Sequence, residues 1–510
     1  TEYGGGMVGY TANNCTFSGN SATEYGGGMV GCTANNCIVW YNTAPSEKDL
    51  SYTTARYSCS PDLIHGVDGN MTNAPAFVDA ANGDYHLLSS SPCIAAGNAE
   101  YATGTDLDGG LWLNPPSMGC YEYYAADAIY VSPDGDDAHD GLSWARAKAT
   151  IQAGVDAQNV TGGVVYVSSG TYSLTNEIVV AKQVTIQSVS GPDTTIVDGK
   201  GSVRCFNLGE SACTLSGLTI TNGYSSEEGG GIYCDDTTPV VTNCILSGNS
   251  ARWGGGMCWG TANNCILSGN SADVGGGIYY STANNCILSG NSAEYGGGMC
   301  GGTANNCTIS GNTASYGGGV FIGTANNCTI VGNTAVDSGG GGMSGWGGGY
   351  ANNCIIWYNT SADGSNIDGN ATLLYSCCPD VTHGVDGNIT NTPMLISVSH
   401  LAGNSPCIGA GSVEYVVGKD IDGDAWLNPP SMGCDEFTVG DVAPTVRILG
   451  SAFRLAEGSQ AEFSAEIIGS SSMYVWDFGD GSSETNALYT KHAWNNLGIY
   501  NVILTAYPEG

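Results

Sequence analysis

Three short loops of this chain combine closely spaced aspartates with glycine, a pattern that offers the ligands of a metal site. Their aspartates are Asp106 and Asp108; Asp420, Asp422 and Asp424; and Asp134, Asp136 and Asp140. Carboxylate oxygens in a tight loop suit Ca²⁺, although no loop has the spacing of an EF-hand. Aspartate and glycine also form ordinary turns. The sequence therefore leaves two interpretations open, calcium sites or plain turns, and it indicates no other cofactor.

The 21 cysteines suggest a different role. Eight of them follow an asparagine, one per repeat, which lines these thiols up instead of gathering the four ligands of a zinc-type site. We expect these thiols to be reduced and buried as small apolar groups. Two further pairs, Cys93 with Cys120 and Cys407 with Cys434, are related by a shift of 314 residues. This recurrence predicts one disulfide in each pair.

An aromatic residue precedes many of the Gly-Gly-Gly words, often with an acidic residue before it. These aromatics are Tyr3, Tyr25, Trp253, Tyr295 and Tyr316. If the repeats stack, the rings form an aromatic stripe that could bind sugar rings or a partner subunit. The alternative is that each ring packs over the flat glycine backbone of its own turn.

The elements that position these residues follow from an internal repeat. The Asn-Cys words contain Cys244, Cys265, Cys286, Cys307 and Cys328, in steps of 21 residues, and a glycine triplet accompanies them. The residue two places after each cysteine is apolar, which is the period-2 alternation of a strand. A unit of this length without a helical segment indicates a parallel β-helix with one repeat per coil. Glycines suit its corners, and one asparagine of each Asn-Asn pair is expected to form an amide ladder between coils.

These words resemble those of the right-handed parallel β-helix family, in particular the Gly-Gly-Gly-Ile and Asn-Cys repeats of bacterial surface and polymorphic outer-membrane proteins. The resemblance covers roughly residues 1–437. A longer repeat divides this region, because SCSPDLIHGVDGN, from Ser58, returns as SCCPDVTHGVDGN, from Ser376. We interpret residues 1–125 as the C-terminal coils and closing segment of a first module, and residues 126–437 as a complete module.

Within the complete module, residues 126–160 resemble the N-terminal cap of pectate-lyase-like β-helices, with a helix that includes Ile151 and Val155. Coils follow over 161–360 and a closing segment over 361–437. Residues 441–510 resemble a PKD domain, an immunoglobulin-like β-sandwich, through the words VWDFGDGS and KHAWNNLGIYNVILTA. The predicted fold class is therefore all-β: a right-handed parallel β-helix in tandem modules, followed by this sandwich.

Charge and hydropathy exclude several classes of partner. The chain has 12 Lys+Arg against 47 Asp+Glu, a net charge of −35, whereas nucleic-acid binding needs a basic face. No run of 18 apolar residues is present, so the sequence predicts no transmembrane segment.

The resemblance also implies enzyme functions, because pectate lyases and polygalacturonases share this fold. A uronate lyase needs basic residues near its acidic substrate, yet only Arg252 and Lys419 occur between Cys205 and Phe437. An inverting hydrolase needs two carboxylates about 6.5–9.5 Å apart, and adjacent acidic residues of the coil region, such as Asp235–Asp236, often lie in turns. We therefore expect no catalytic residues.

The sequence favours a non-catalytic extracellular structural or adhesion protein of a bacterial surface, either a stalk or a filament subunit. The alternative is a carbohydrate-binding or polysaccharide-degrading β-helix, whose partner would be a polysaccharide. Residues 1–36 form coils without a cap, and Thr1-Glu2-Tyr3-Gly4 matches a mid-coil stretch at Ala293. We expect more coils before Thr1 or self-association at this end, since a bare coil edge exposes unpaired backbone groups.

Overall fold

The computed structural model describes residues 2–125, 127–209, 212–235, 239–346, 348–437, 445–450, 460–468, 471–485, 489–494, 498 and 500–508. They form two compact units. The first unit contains Thr1–Gly170 and Gln187–Thr195, and the second contains Thr171–Ile186 and Ile196–Gly510. Thr1, Asp236 and residues 438–444 lie outside the described residues. Among the described residues, no helix is long and apolar enough to cross a membrane.

The repeats of the second unit form parallel β-helix coils, which confirms the predicted fold class. Each typical coil contributes one strand to each of four parallel sheets. Sheet 1 contains Thr214–Ser216, Val240–Thr242, Thr261–Asn263, Thr282–Asn284, Thr303–Asn305, Thr324–Asn326, Gly349–Asn352 and Ala371–Leu374. Sheet 2 contains Thr219–Thr221, Ile245–Ser247, Ile266–Ser268, Ile287–Ser289, Thr308–Ser310, Thr329–Val331 and Ile355–Trp357. Sheet 3 contains Ser250–Trp253, Ser271–Val274, Ser292–Tyr295, Thr313–Tyr316, Thr334–Ala335 and Thr360–Ser361. Sheet 4 contains Ile178–Val180, Phe206–Leu208, Ile232–Cys234, Met257–Cys258, Ile278–Tyr279, Met299–Cys300, Val320–Phe321 and Met343–Ser344.

Adjacent coils of the 21-residue repeat are in register, so each strand residue pairs with the residue 21 positions later. Leu267 pairs with Leu288, and Ala283 pairs with Ala304. Both kinds of position point inward and are fully buried, because alternate residues of a strand face opposite sides. Equivalent residues of successive coils therefore lie above one another and form columns in the core.

The two asparagines of each Asn-Asn pair have different roles. The first forms the expected amide ladder, in which Asn284 Nδ2 donates to Asn263 Oδ1 at 2.8 Å and Asn305 Nδ2 donates to Asn284 Oδ1 at 2.8 Å. The second turns the corner with a positive φ, 52° at Asn285, a conformation that asparagine tolerates better than most residues.

A third asparagine column, which the sequence analysis did not single out, lies inside the coils. Its members are Asn249, Asn270, Asn291, Asn312, Asn333 and Asn359, all buried. Asn270 Nδ2 donates to Asn291 Oδ1 at 3.0 Å, and Asn291 Nδ2 donates to Asn312 Oδ1 at the same distance. Each buried amide is thus paired with the next coil, as burial of polar groups requires.

The cysteine column lies beside these ladders. Cys265 and Cys286 are fully buried free thiols, and the Cys265 N–H donates to Cys286 Sγ at 3.3 Å. The column ends at a serine, because the Cys354 N–H donates to Ser376 Oγ at 3.0 Å. These cysteines are core residues, as expected from their spacing.

The first unit contains shorter versions of the same coils. Its parallel sheets are Met7–Val8, Met29–Val30 and Leu50–Ser51; Thr11–Asn13, Thr33–Asn35 and Thr54–Arg56; and Thr16–Ser18 and Ile38–Trp40. An antiparallel pair, Phe77–Asp79 and Asp84–Leu87, and the 3₁₀ turns Val67–Gly69, Ala80–Asn82 and Ala99–Tyr101 follow.

The predicted cap helix is present in the first unit at Ile151–Ala157. Thr150 begins it, since its side chain accepts a hydrogen bond from the Ala153 N–H. The strands Ile129–Val131 and Gly163–Val167 pair beside it, and a 3₁₀ turn covers Trp144–Arg146. The chain passes between the two units within the strands Gly170–Ser173, Val184–Ser188 and Thr195–Asp198.

The second unit ends in the 3₁₀ turns Val385–Gly387 and Val413–Tyr415 and then in a small β-sandwich. The sandwich has two antiparallel sheets: Thr445–Gly450, Gln460–Ile468 and Tyr489–Ala493; and Ser483–Thr485, Ser471–Asp477 and Ile503–Pro508. Its core surrounds the fully buried Trp476, and Trp494 Nε1 donates to the Phe478 carbonyl at 2.9 Å.

Candidate functional site

Two of the predicted acidic loops lie in segments with the same internal contacts, which we call the first closing segment (60–125) and the second closing segment (378–437, within the predicted 361–437). In the first, Asp106 Oδ1 accepts from the Asp108 and Gly110 N–H groups at 3.1 and 2.6 Å, and Oδ2 accepts from the Glu122 N–H at 3.0 Å. Asp420 makes the same three bonds in the second. Both carboxylates therefore hold backbone in place.

A buried glutamate completes each segment. Glu122 accepts hydrogen bonds from the Ser117 N–H and hydroxyl and from the Leu113 N–H. Glu436 accepts the corresponding bonds from Ser431. Burial raises the pKa of Glu122. These acids stabilise the fold of the closing segments and are turned away from solvent.

The other aspartates of these loops contact histidines that the sequence analysis passed over. His86 lies between Asp84 and Asp108, with Nδ1 at 2.6 Å from Asp84 Oδ1 and Nε2 at 2.7 Å from Asp108 Oδ2. The hydrogen bond with Asp108 raises the pKa of His86, which stacks on Tyr121 at 3.8 Å. The recurrence of this histidine 314 residues later could have revealed the site.

The second closing segment contains the equivalent His400 in a more enclosed setting. Its Nε2 lies 2.8 Å from Asp422 Oδ2, and its Nδ1 lies 3.0 and 2.6 Å from the Ser397 and Ser399 hydroxyls. Asp435 replaces the stacking tyrosine, and burial raises its pKa to about 6. The ligand atoms of His400, Asp422 and Asp435 lie within 4.8 Å of one another, and this is the one such cluster among the described residues.

This cluster is where the described chain could best hold a divalent cation. It includes Asp422 of the predicted calcium loop but neither Asp420, which is bound to backbone, nor Asp424, which is exposed. One imidazole with two carboxylates suits a transition-metal ion better than Ca²⁺, which prefers six or more oxygens. The calcium assignment of the loops stays a prediction.

The third acidic loop is a set of local contacts in the cap. Asp140 Oδ2 accepts from Arg146 Nε at 2.9 Å, Asp136 Oδ1 accepts from the Ala138 N–H at 2.8 Å, and Asp134 is exposed. The loop brings no three of its carboxylates to one point, so here the turn interpretation has the stronger support.

The predicted disulfide cysteines are all free thiols in the structure: Cys93, Cys120, Cys407 and Cys434. Cys93 instead packs in one buried cluster with Cys59, and Cys407 packs in another with Cys377. The Cys120 and Cys434 N–H groups instead donate to coil threonines, Thr16 and Thr329. The structure thus differs from the predicted pairing, because the closing segment packs its first cysteine against the last coil.

The aromatic residues before the glycine triplets align between coils. Tyr3 packs against Tyr25 in the first unit, with ring centroids 4.7 Å apart and planes tilted by 36°. In sheet 3, Trp253 and Tyr295 flank Val274 in register, and Tyr295 stacks with Tyr316 at 5.3 Å and 13°. The stripe therefore forms in each unit, and a valine interrupts it in the second.

A cleft in the first unit, which the sequence did not reveal, brings acids and aromatic rings together. It has a volume of about 510 Å³, and its lining includes Asp108, Tyr124, Tyr130 and Trp144. Tyr130 and Trp144 meet edge to face at 4.8 Å. The signal in the sequence was the tyrosine-rich run between the closing segment and the cap, at 121–130.

Comparison with known proteins assigns two parts of the chain. Residues 441–509 match the PKD domain. Residues 193–377 match a family described as periplasmic copper-binding protein (NosD). No curated protein matches the chain significantly.

Several solved structures share low similarity with this chain. Pectate lyase Pel9A is 14% identical, covers 61% of this chain and 96% of its own, and has a TM-score of 0.41. A rhamnogalacturonan lyase is 13% identical over 51% and 89%, with a TM-score of 0.31. A pectin methylesterase from Aspergillus niger is 15% identical over 52% and 93%, with a TM-score of 0.29. The activities in these names are those of the proteins that carry them.

Proposed function

We propose that this chain is a non-catalytic structural or adhesion protein of a bacterial surface, a stalk or filament subunit built from β-helix modules. The buried asparagine ladder from Asn249 to Asn359 is the observation that carries the proposal. Its amides bond only to neighbouring coils and to coil backbone, so the repeats gain stiffness and length from one another.

The acids of the closing segments support a structural role as well. Asp106, Asp420, Glu122 and Glu436 each accept backbone N–H groups, which leaves them poorly placed to transfer protons to a substrate. The matches to a PKD domain and to a family described as periplasmic support a location outside the cytoplasm.

Electron microscopy of the native secreted protein tests this function. We expect rods or fibres, and we expect no release of reducing ends or unsaturated sugars from pectin, polygalacturonate or neutral glycans. Compact single particles together with sugar release would overturn the proposal and favour a polysaccharide-degrading enzyme.

The first-unit cleft favours a second candidate function, carbohydrate binding. Aromatic faces with neighbouring carboxylates are a common arrangement for neutral sugars, whose C–H faces stack on rings. A fluorescence titration with neutral oligosaccharides tests it. Saturable binding that Trp144→Ala abolishes and Trp357→Ala, outside the cleft, leaves unchanged would support the candidate, and equal responses of both variants would dismiss it.

A further inference from the structure

Two pairs of buried cysteines occupy equivalent places at the closing segments. Cys59 and Cys93 lie in the buried cluster between the last coil and the first closing segment, and Cys377 and Cys407 lie in the corresponding cluster of the second. All four are 0% exposed. The four cysteines do not belong to the column of Asn-Cys thiols. In each pair, one cysteine lies on a coil and the other lies on the closing segment packed against that coil.

The first member of each pair departs from the cysteine column by one residue. Ser58 takes the column position, since its hydroxyl accepts from the Cys37 N–H at 3.0 Å, and Cys59 pairs with Ile38 instead. A shift of one residue turns a side chain to the other face of the sheet. Cys59 therefore faces outward, toward the closing segment, as does Ile38.

The second module repeats this shift. Ser376 accepts from the Cys354 N–H at 3.0 Å, and Cys377 pairs with Ile355, which packs in the core of the closing segment. At the end of both coil stacks, the cysteine thus lies on the outer face of the sheet, whereas the preceding column cysteines lie on the inner face. Packing of the coil core does not require a cysteine on the outer face, since a serine occupies the inner column position in each case.

The outward cysteine shares a buried cluster with the second cysteine in both modules. Cys59 pairs across a parallel bridge with Met71, whose Sδ lies 4.0 Å from Cys93 Sγ. The neighbouring Cys93 thiol, together with burial, raises the pKa of Cys59, and the Cys407 thiol has the same effect on Cys377. Both outer thiols also donate to equivalent carbonyls, Cys59 to Asn73 at 3.1 Å.

We propose that Cys59–Cys93 and Cys377–Cys407 are disulfide bonds in the secreted protein, each fastening a closing segment to the outer face of the last coil. Each bond forms when the two thiols pass two electrons and two protons to a disulfide reagent, such as glutathione disulfide or a disulfide oxidoreductase, which is released as two thiols. The proposal rests on the extracellular location in the proposed function, where such bonds persist.

Alkylation of the denatured full chain, counted by intact mass, tests the pairing. Protein produced by secretion is expected to have four fewer reactive thiols than the 21 of the reduced chain, and peptide mapping is expected to link the two pairs. Protein refolded with glutathione disulfide provides a second preparation that does not depend on location.

Two serine variants distinguish the proposed pairing from the one that the sequence predicts. Cys93→Ser frees Cys59 and is expected to raise the thiol count by one relative to the oxidised wild type. Cys120→Ser removes a free thiol and is expected to lower it by one. A full count of 21 in both wild-type preparations, or linkage of Cys93 to Cys120, would overturn the proposal, whereas the microscopy of the proposed function would be unaffected.

Discussion

Replacement of Asn291 by alanine is expected to destabilise the coils of the second unit by about 4 kcal/mol, since four buried hydrogen bonds at about 1 kcal/mol each are lost. Asn291 Nδ2 donates to Leu267 O and Asn312 Oδ1, and Asn291 Oδ1 accepts from the Asn270 N–H and Nδ2. The partners remain buried and have no water to replace these bonds.

Chemical denaturation followed by circular dichroism measures this loss, and Asn284→Ala is the matched control. Asn284 belongs to the same coil and to the other amide ladder, but it is half-exposed and makes two side-chain bonds. Water can replace those bonds, so the control is expected to cost less than about 1 kcal/mol. Equal losses in both variants would show that burial of the inner ladder contributes nothing.

Replacement of Gly297 by alanine is expected to cost about 3 kcal/mol or more, the upper end for overpacked sites. A Cβ there would lie 2.5 Å from Gly318 O and 2.6 Å from Thr313 O. Both contacts are to backbone of the next coil, which is itself hydrogen-bonded and has little room to move. The clash therefore forces neighbouring coils apart.

The same denaturation measurement, with Gly369→Ala as control, checks this expectation. A Cβ at Gly369 meets no atom within 4 Å and its φ is not in the left-handed region, so the control is expected to leave the midpoint almost unchanged. A small effect of Gly297→Ala would mean that the glycine triplets are not required for close stacking.

The coils were predictable because their signals are local. The Asn-Cys word and the apolar residue two places after it recur in steps of 21 residues from Cys244 to Cys328, with a glycine triplet in each unit, so one unit predicts the fold of the stack. The inner ladder was missed at Asn291 because a polar residue after glycine is typical of an exposed turn. Only the stacking of coils shows that its amide is buried.

The closing segments were less predictable because their contacts are long-range. The spacing of Cys93 and Cys120 suggested a pair, yet Cys93 packs in one buried cluster with Cys59, 34 positions earlier. Likewise, Asp106 has the composition of a calcium ligand, and only the structure shows that Glu122 and Gly110 direct their N–H groups at it. The sequence identifies the thiols and carboxylates that are present, whereas the packing of distant segments determines which groups they contact.

The residue-to-residue register of the coils makes the length of this protein adjustable during evolution. Removal of residues 282–302 would join Ser281 to Thr303, the residue that pairs with Thr282, and every ladder would close across the new junction without a new kind of contact. Duplication of the same stretch would add one rung in the same way. Unequal recombination between such near-identical DNA repeats would therefore change the length of the coil stack in steps of about 4.8 Å. Each product would keep the same fold.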